Sequence, residues 1–324
     1  MKAIIVKEDP NRTLLWQEVP DPTFASNEAL VNIHTTAINR ADLLQRAGNY
    51  PPPPGAPPYM GLEMCGTIAA VGTAVTGFKP GDRVLGLLAG GGYAEQVAVP
   101  ATHLLPLPDD RDFVWGGAIA EVFLTAFVNL FLEAELQAGE TALIHGGASG
   151  VGTAAIQLCR EAGCKVFATA GTEAKIARCR ELGADLAINY KERDFAEAIH
   201  ADSDGVDVVL DIAGADYLER NMEVLKPRGR LVVIAVLTGP QTQIDLLQMQ
   251  IKRLRLIGSV LRSRSLEEKN AIVAAFKERF WPLLIAGRIE PVIEEVLPVE
   301  RAADAQQILA ENRNIGKVLL QVRP

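Results

Sequence analysis

Glycines cluster in the middle of the chain at a spacing that could bring backbone N–H groups against a phosphate. Residues 146 to 152 contain Gly146, Gly147, Gly150 and Gly152, with Ser149 among them. The spacing is Gly-x-x-Ser-x-x-Gly, which departs from the usual G-x-G-x-x-G pattern. Glycine lets the backbone approach a pyrophosphate closely, and a following helix would offer unpaired N–H groups to it. These residues favour a nucleotide-binding turn over a purely structural one.

The turn must be held between a strand and a helix, and the flanking residues predict both. Thr141–His145 is apolar and β-branched, as in a buried strand, and apolar positions from Val151 recur three or four apart, as on one helix face. Gly163 is a typical helix end. Strand and helix patterns then alternate to residue 260. This alternation predicts an α/β fold with a doubly wound parallel sheet of about six strands, whose ligands bind at the carboxyl ends of the strands.

The first hundred residues have a different pattern, with short strands separated by Gly and Pro and one helix pattern at 38–48. The proline run at 50–59 could serve as a ligand for peptide-binding modules, but between ordered elements it is expected to form a rigid loop beside a cleft. The change of pattern predicts two domains of different class, joined by a helix near 121–130.

The strand predicted at Lys165–Ala170 bears on the choice of cofactor. NAD-specific folds place an acid roughly 20 residues past the glycine turn to hold the ribose 2′-hydroxyl. Here Thr172 follows the strand, with Lys175 and Arg178 beyond it. A hydroxyl and cations suit a 2′-phosphate, so these residues favour NADPH over NADH. Glu173 does not fit this pattern, and is expected to point away as the first-turn acid of its helix.

Composition narrows the function classes. A net charge of −8 and a pI near 5.2 argue against non-specific binding of nucleic acid. No apolar run approaches the ~18 residues of a membrane helix, and the N-terminus carries charge too early for a signal peptide, so a cytoplasmic protein is expected. The four cysteines form no C-x-x-C pair and the four histidines are dispersed. They predict packed thiols and no metal site.

Five stretches carry a family resemblance. They read NRADLLQRAGNYPPPPG (39–55), GLEMCGTIAAVG (61–72), GDRVLGLLAGGGYAEQVAVP (81–100), LIHGGASGVGTAAIQL (143–158) and NIGKVLL (314–320). The sequence resembles the zinc-free, zeta-crystallin-like quinone oxidoreductases of the medium-chain dehydrogenase/reductase superfamily, and within them the tumour-suppressor-inducible type. The resemblance implies a GroES-like β-barrel catalytic domain over 1–122, a Rossmann NADPH-binding domain over 123–264, and a return to the catalytic domain over 265–324.

The resemblance also implies an NADPH cleft between the domains and assigns residues to it by position. The pyrophosphate would meet the glycine turn at Ser149, Gly150, Val151 and Gly152. The adenosine 2′-phosphate would lie among Thr172, Lys175 and Tyr190. The nicotinamide would be flanked by Leu237, Thr238, Gly239, Leu261 and Arg264. The other domain and the connecting helix would reach the cofactor through Asn39, Asp42, Thr125 and Lys317.

Zinc is not expected. Zinc alcohol dehydrogenases of this superfamily have a ligand cysteine where Asn39 stands and a ligand histidine where Leu62 stands, and their loop for a structural zinc is missing between residues 94 and 111. A catalytic zinc needs about three protein ligands. The sequence therefore predicts no metal and argues against metal-assisted alcohol oxidation.

Catalysis without a metal would consist of holding an electrophile against NADPH and excluding water. Asn39 and Tyr50 are the candidates to hydrogen-bond a quinone oxygen, followed by Tyr59. Two simpler interpretations stay open. Tyr50 could be an aromatic stacked on the prolines of its loop, and Asn39 could be a helix cap.

Three functions remain in competition. The first is NADPH:quinone oxidoreductase activity, by hydride or single-electron transfer. The second is reduction of activated C=C bonds in enals, enones or enoyl thioesters, where a tyrosine acid would matter more because the enolate must be protonated. The third is an NADPH-binding structural or RNA-binding protein, which the acidic composition disfavours. The expected partners are a small-molecule quinone or related electrophile and further copies of the chain, in a homodimer or homotetramer, with no membrane and no nucleic acid.

Overall fold

The computed structural model describes residues 1–323, which form two compact units. One unit contains residues 1–124 and the chain from Leu261 onward, and the other contains residues 125–260. The domain boundaries predicted after residues 122 and 264 lie within a few residues of these divisions.

Short strands with alternating buried residues build the first unit. The ten residues of β3 alternate in burial over most of their length, as in a strand with one face on the core. The proline run between α1 and β4 forms neither helix nor strand, because proline lacks the N–H that either would need. The elements of this part are β1 (Lys2–Val6), β2 (Leu14–Glu18), β3 (Glu28–Ala37), α1 (Arg40–Arg46), β4 (Glu63–Val71), β5 (Arg83–Leu87), β6 (Gln96–Pro100), β7 (Leu104–Pro106), α2 (Phe113–Gly117) and α3 (Ala120–Phe127).

The second unit is a parallel sheet of six strands in the order β10-β9-β8-β11-β12-β13. This order confirms the predicted doubly wound sheet, in which ligands bind where the order reverses, outside the carboxyl ends of β8 and β11. Its elements, after a π-helical turn at Val128–Glu133, are β8 (Thr141–His145), α4 (Gly150–Glu161), β9 (Lys165–Ala170), α5 (Glu173–Leu182), β10 (Leu186–Asn189), α6 (Phe195–Asp202), β11 (Val206–Asp211), α7 (Leu218–Val224), β12 (Leu225–Val233), α8 (Leu246–Lys252) and β13 (Arg255–Gly258).

One strand of this sheet differs from its prediction. The sequence predicts a turn at 226–229 and a strand at 230–236, but β12 already pairs at Leu225 and ends at Val233. Val206 pairs with Leu225 and Val208 with Arg230, so the residues between them bulge out of the ladder. Arg228 takes a φ of +67° there. The turn residues therefore make a bulge inside a strand rather than a boundary before it.

The chain then completes the first unit with α9 (Leu266–Arg279), α10 (Trp281–Ile285), β14 (Ile293–Pro298), α11 (Ala302–Ala310) and β15 (Lys317–Gln321). The unit holds a seven-stranded sheet in which β3 pairs with β4, with β6 and with β15. Leu319 of β15 lies opposite Ala37, and Ile38 N–H donates to Val318 O. This pairing brings the start of β15 beside the residues that precede α1.

The central strands of the parallel sheet are almost completely buried. All five residues of β8 are buried, and β9 is buried except at Lys165, as in a parallel strand covered on both faces. Among residues 1–323, no helix combines the length and the apolar character needed to cross a bilayer.

Candidate functional site

The turn between β8 and α4 requires glycine at two positions because of its own packing. Gly146 has a φ of +67°, and a Cβ added there would overlap the side chain of Ile212. A Cβ added at Gly152 would overlap the carbonyl oxygen of Gly146. A larger residue at 152 would therefore distort the turn whether or not a nucleotide binds, so it is a poor probe of cofactor binding.

Ser149 is the N-cap of α4. Its Oγ accepts a hydrogen bond from the N–H of Gly152 at 3.0 Å, which leaves its hydroxyl proton to donate elsewhere. No described residue accepts a hydrogen bond from the backbone N–H of Gly150 or Val151. These donors stand at the N-terminus of a twelve-residue helix, where the helix dipole favours negative charge. Together they fit a phosphate group.

Polar and cationic side chains gather at the carboxyl end of β9. Thr172 caps α5, since its Oγ1 accepts a hydrogen bond from the N–H of Lys175 at 3.4 Å. A Cβ built on Gly171 would lie 2.7 Å from Tyr190 Oη and 3.3 Å from Lys191 Cε. The structure thus brings Thr172, Lys175 and Tyr190 together and adds Lys191, a cation that the sequence analysis missed although it directly follows Tyr190.

Glu173, the acid that does not fit a 2′-phosphate, is engaged with a neighbouring strand. Its Oε1 accepts a hydrogen bond from Nδ2 of Asn189, the last residue of β10, at 3.1 Å. Its place in the first turn of α5 also suits the positive end of the helix dipole. One oxygen of this acid is therefore directed towards β10.

Two further loops meet at the carboxyl ends of β11 and β12. Burial raises the pKa of Asp211, the last residue of β11, to about 6. Its Oδ1 accepts a hydrogen bond from the N–H of Ala213 at 2.7 Å, and the Thr238 hydroxyl donates to the Ala213 carbonyl at 3.0 Å. Leu237 is 54% exposed beside Thr238, and Gly239 follows with a φ of +129°. Asp211 thus orders the loop against which residues 237–239 rest.

In the first unit, Asn39 lies inside a buried polar cluster. Its Nδ2 donates to Glu63 Oε1 at 3.0 Å, and its Oδ1 accepts from Lys317 Nζ at 2.7 Å. Lys317 Nζ also forms an ion pair with Glu63 Oε1 at 2.9 Å, and both side chains are almost fully buried. Asn39 is also the N-cap of α1, where its N–H donates to Asp42 Oδ2 at 2.7 Å, so the residue joins the start of the helix to this ion pair.

Asp42 supports the same region from α1. Its Oδ1 accepts from the N–H of Gly61 at 3.0 Å, and its Oδ2 accepts from the N–H of Asn39 at 2.7 Å and from Tyr93 Oη at 3.0 Å. Burial raises the pKa of this carboxyl to about 6. Because protein donors already occupy both oxygens, Asp42 acts on the site by holding the backbone at Gly61 and Asn39.

The ring of Tyr50 packs against a cation. The Arg262 guanidinium lies 5.1 Å from the centre of the Tyr50 ring and donates to the Tyr50 carbonyl at 3.3 Å. The same guanidinium is anchored by Ala89 O and Gln45 Oε1, each at 2.8 Å. In the described part of the chain, nothing hydrogen-bonds to the Tyr50 hydroxyl, which is left to bind a ligand.

The proline run borders a cavity of about 440 Å³ in the first unit, as the sequence predicts for a loop beside a cleft. The lining includes residues 53–57 and 87–90 together with Arg262, Arg264 and Lys269. Tyr59 is only partly buried, and its carbonyl accepts a hydrogen bond from the N–H of Gly91.

Three remaining candidates lie in separate local settings. Thr125 belongs to the second unit, and its carbonyl accepts a hydrogen bond from Asn129 Nδ2 at 2.7 Å as α3 widens into the π-helical turn. Leu261 is buried in the first unit. Arg264 belongs to the same unit, and its Nη1 lies 3.9 Å from Glu268 Oε1.

The residues around Asn39 do not fit a zinc ion. Leu62 is aliphatic and buried, and the oxygens of Asn39 and Glu63 already face the Lys317 ammonium at 2.7 and 2.9 Å. Within residues 1–323, no three His, Cys, Asp or Glu side chains are grouped as metal ligands. No chemical step is therefore assigned to a metal.

Two acids near Asn39, Glu63 and Glu121, were not predicted from the sequence. Glu63 stands in β4 among buried residues, and Glu121 stands in the apolar helix α3. An acid inside an otherwise apolar strand or helix is the signal that could have identified them, because a buried charge is costly unless it is paired.

Comparison with known families matches both parts of the chain. The family described as alcohol dehydrogenase GroES-like domain matches residues 25–109, and the family described as zinc-binding dehydrogenase matches residues 150–277.

Individual relatives match over nearly the full length. The chain is 32% identical to a quinone oxidoreductase of Rattus norvegicus, over 99% of this chain and 97% of the relative. Among solved structures, the quinone oxidoreductase of Escherichia coli in complex with NADPH is 28% identical, with a TM-score of 0.87 and 99% of each chain covered. The CurK enoyl reductase is 26% identical, with a TM-score of 0.86 and coverage of 99% of this chain and 98% of the other.

Proposed function

Because the chain belongs to the quinone oxidoreductase-like group of the medium-chain dehydrogenases/reductases, we propose that it uses NADPH to reduce a quinone. The observation that carries the choice of cofactor is the cluster at the end of β9. Thr172, Lys175, Tyr190 and Lys191 supply hydroxyls and cations there, where an NAD-specific fold would have a free acid. The quinone as acceptor is supported by the relatives that carry that name.

The second unit would bind the phosphates of the cofactor. The N–H groups of Gly150 and Val151 and the Ser149 hydroxyl would bond the pyrophosphate, and the cluster at β9 would bond the 2′-phosphate. Leu237, Thr238 and Gly239 would lie along the cofactor at the ends of β11 and β12. NADPH supplies a hydride when bound, so the protein itself must position the acceptor and provide a route for one proton to reach it.

In the first unit, Tyr50 would donate a hydrogen bond to an acceptor oxygen. Its hydroxyl is unused, and its ring is fixed against Arg262. Asn39 would orient the surroundings of the acceptor, since its amide is held by Glu63 and Lys317. Tyr59, at the end of the proline run, would border the acceptor. A quinone is a good electrophile, so such positioning can carry much of the catalysis.

Reduction of an activated C=C bond is the second candidate. The structural likeness to an enoyl reductase favours it, as does the unused phenol of Tyr50, because an enolate product needs a proton donor.

Steady-state assays with the purified protein separate the candidates. We expect turnover with NADPH and a quinone, and a higher Kd for NADH than for NADPH. Turnover of enones alone would favour C=C reduction. Turnover of neither class would contradict both enzymatic proposals and leave a binding protein as the alternative.

We also propose that the chain assembles as a homodimer, or as a homotetramer of two such dimers, through the edge of the parallel sheet. β13 is an edge strand, and Leu246, Leu247 and Ile251 of α8 next to it are 67, 64 and 69% exposed. Unpaired strand edges with exposed apolar neighbours are suited to pairing with a second copy. Light scattering should give at least a dimer, and Leu247→Asp should shift it towards the monomer. A monomeric wild-type protein at micromolar concentration would contradict this assembly.

A further inference from the structure

Glu121 carries a carboxyl for which the fold provides no partner. Its backbone N–H donates to Glu63 Oε2 at 2.9 Å, but within residues 1–323 its own side-chain oxygens receive no hydrogen bond and form no ion pair. The residue is only partly buried, so the carboxyl is accessible to a ligand. Structural acids of this chain, such as Asp42 and Glu63, are fully bonded instead.

The charges around Glu121 come from several elements of the first unit. Glu63 on β4 and Asp42 on α1 are acidic. Lys317 on β15, Lys269 on α9 and Arg262 in the segment before α9 are basic, and Tyr50 begins the proline run. Burial, and next the charge of Glu63, raise the pKa of Glu121 to about 8. The carboxyl is thus protonated at neutral pH and would ionise just above it.

Glu63 and Glu121 differ because only one of them has a cation in contact. Glu63 forms an ion pair with Lys317 and accepts hydrogen bonds from Asn39 Nδ2 and the Glu121 backbone N–H. Glu121 has no such contact and keeps its proton. Two neighbouring carboxyls in unlike environments are the usual arrangement of an acid and a supporting carboxylate.

Tyr50 connects this pair to the place where we expect the acceptor. The pKa of Tyr50 is raised by burial and by the proximity of Glu121, and Arg262 packs on its ring. The Tyr50 hydroxyl and the Glu121 carboxyl are therefore two proton-bearing groups in one neighbourhood, and protein atoms hydrogen-bond neither of them.

We propose that Glu121 is the proton donor of the reaction, giving its carboxyl proton to the oxygen of the acceptor as the acceptor is reduced. This inference rests on the proposed function. The acceptor gains a hydride and its two electrons from NADPH, its oxygen takes the proton from Glu121, and NADP⁺ and a Glu121 carboxylate remain. The positive charge of Lys317 stabilises that carboxylate until a proton from water restores the acid.

The test is Glu121→Gln, which keeps the shape of the side chain and removes its acidic proton. With an enone, whose reduction depends most on a proton, kcat should fall about 100-fold, while KM and the Kd for NADPH stay within about twofold. In the wild type, kcat should decline above pH about 8, and the variant should lack this alkaline decline. Glu121→Asp should recover part of the rate, and Glu8→Gln, at an exposed position, is the matched control.

Two outcomes would overturn the inference. A Glu121→Gln enzyme with the kcat and the alkaline decline of the wild type would exclude Glu121 as the donor while leaving the proposed function intact. Absence of wild-type turnover with every quinone and enone would instead remove the proposed function and the donor role together. If the glutamine variant fails to fold, infrared spectroscopy of the wild type decides the matter. A protonated carboxyl band that disappears around pH 8 supports the donor, and no such band contradicts it.

Discussion

The two units differ in how their candidate site residues are brought together. In the second unit, the groups proposed to bind phosphate are backbone N–H groups and cap hydroxyls, which lie in two short segments at the starts of α4 and α5. In the first unit, the polar cluster draws Asn39, Glu63, Glu121 and Lys317 from four distant parts of the chain. The proposed binding groups thus depend on local backbone geometry, and the proposed catalytic groups depend on long-range side-chain contacts. The two regions should respond differently to substitution.

The largest effect is expected at the buried ion pair. Lys317→Met leaves Glu63 buried without its cation, which should lower the free energy of unfolding by about 3–5 kcal/mol. Urea denaturation measures this loss. Lys317→Met combined with Glu63→Gln should recover part of it, and exposed Lys277→Met should change little. If Lys317→Met alone left the free energy of unfolding unchanged, the ion pair of Lys317 and Glu63 would not contribute to stability.

The second effect is the dependence of stability on pH at Glu121. Its pKa is raised to about 8 in the folded protein, so between pH about 4.5 and 8 the folded state holds a proton that the unfolded state has lost. Stability contributed by this group therefore decreases as pH rises through that window, by at most about 1.4 kcal/mol per pH unit. Glu121→Gln should gain stability relative to wild type from pH 5 to 8 and no further above it. A constant difference in thermal-melt series would contradict the raised pKa.

A smaller effect, confined to the cofactor, is expected at the end of β9. Lys175→Met and Lys191→Met should each weaken NADPH binding roughly 10-fold, because a charge-assisted bond to the 2′-phosphate is lost. NADH affinity should stay within about twofold, and Lys7→Met is an exposed control. Equal losses for both cofactors in fluorescence titrations would place these lysines away from the 2′-phosphate.

The smallest effect is a local one at Ser149. Ser149→Ala removes the N-cap of α4 and should cost about 1 kcal/mol of stability, together with a modest loss of NADPH affinity. Exposed Ser26→Ala provides the matched control. A loss as large as that of Lys317→Met would show that the turn depends on long-range contacts and would weaken the contrast between the units.

Sequence reasoning succeeded where the signal is local. The glycine turn, the strands at 141–145 and 165–170 and the alternation behind the parallel sheet all follow from patterns of a few residues. It was less accurate at β12, where the turn residues bulge inside a strand because pairing with β11 begins earlier, at Leu225. It also treated Ser149 only as a possible phosphate ligand, whereas the structure shows that its oxygen first caps a helix.

The sequence by itself determined the class of the fold and the nucleotide-binding end of the second unit, because short-range propensities and spacings specify strands, turns and caps. Only the tertiary structure decided the roles of Glu63, Glu121 and Lys317. Their meaning depends on the pairing of β15 with β3, which brings Lys317 beside Asn39 and Glu63. Of the two carboxyls, Glu63 is the one in contact with that ammonium. A contact across 254 positions of sequence, from residue 63 to residue 317, produces no local sequence pattern.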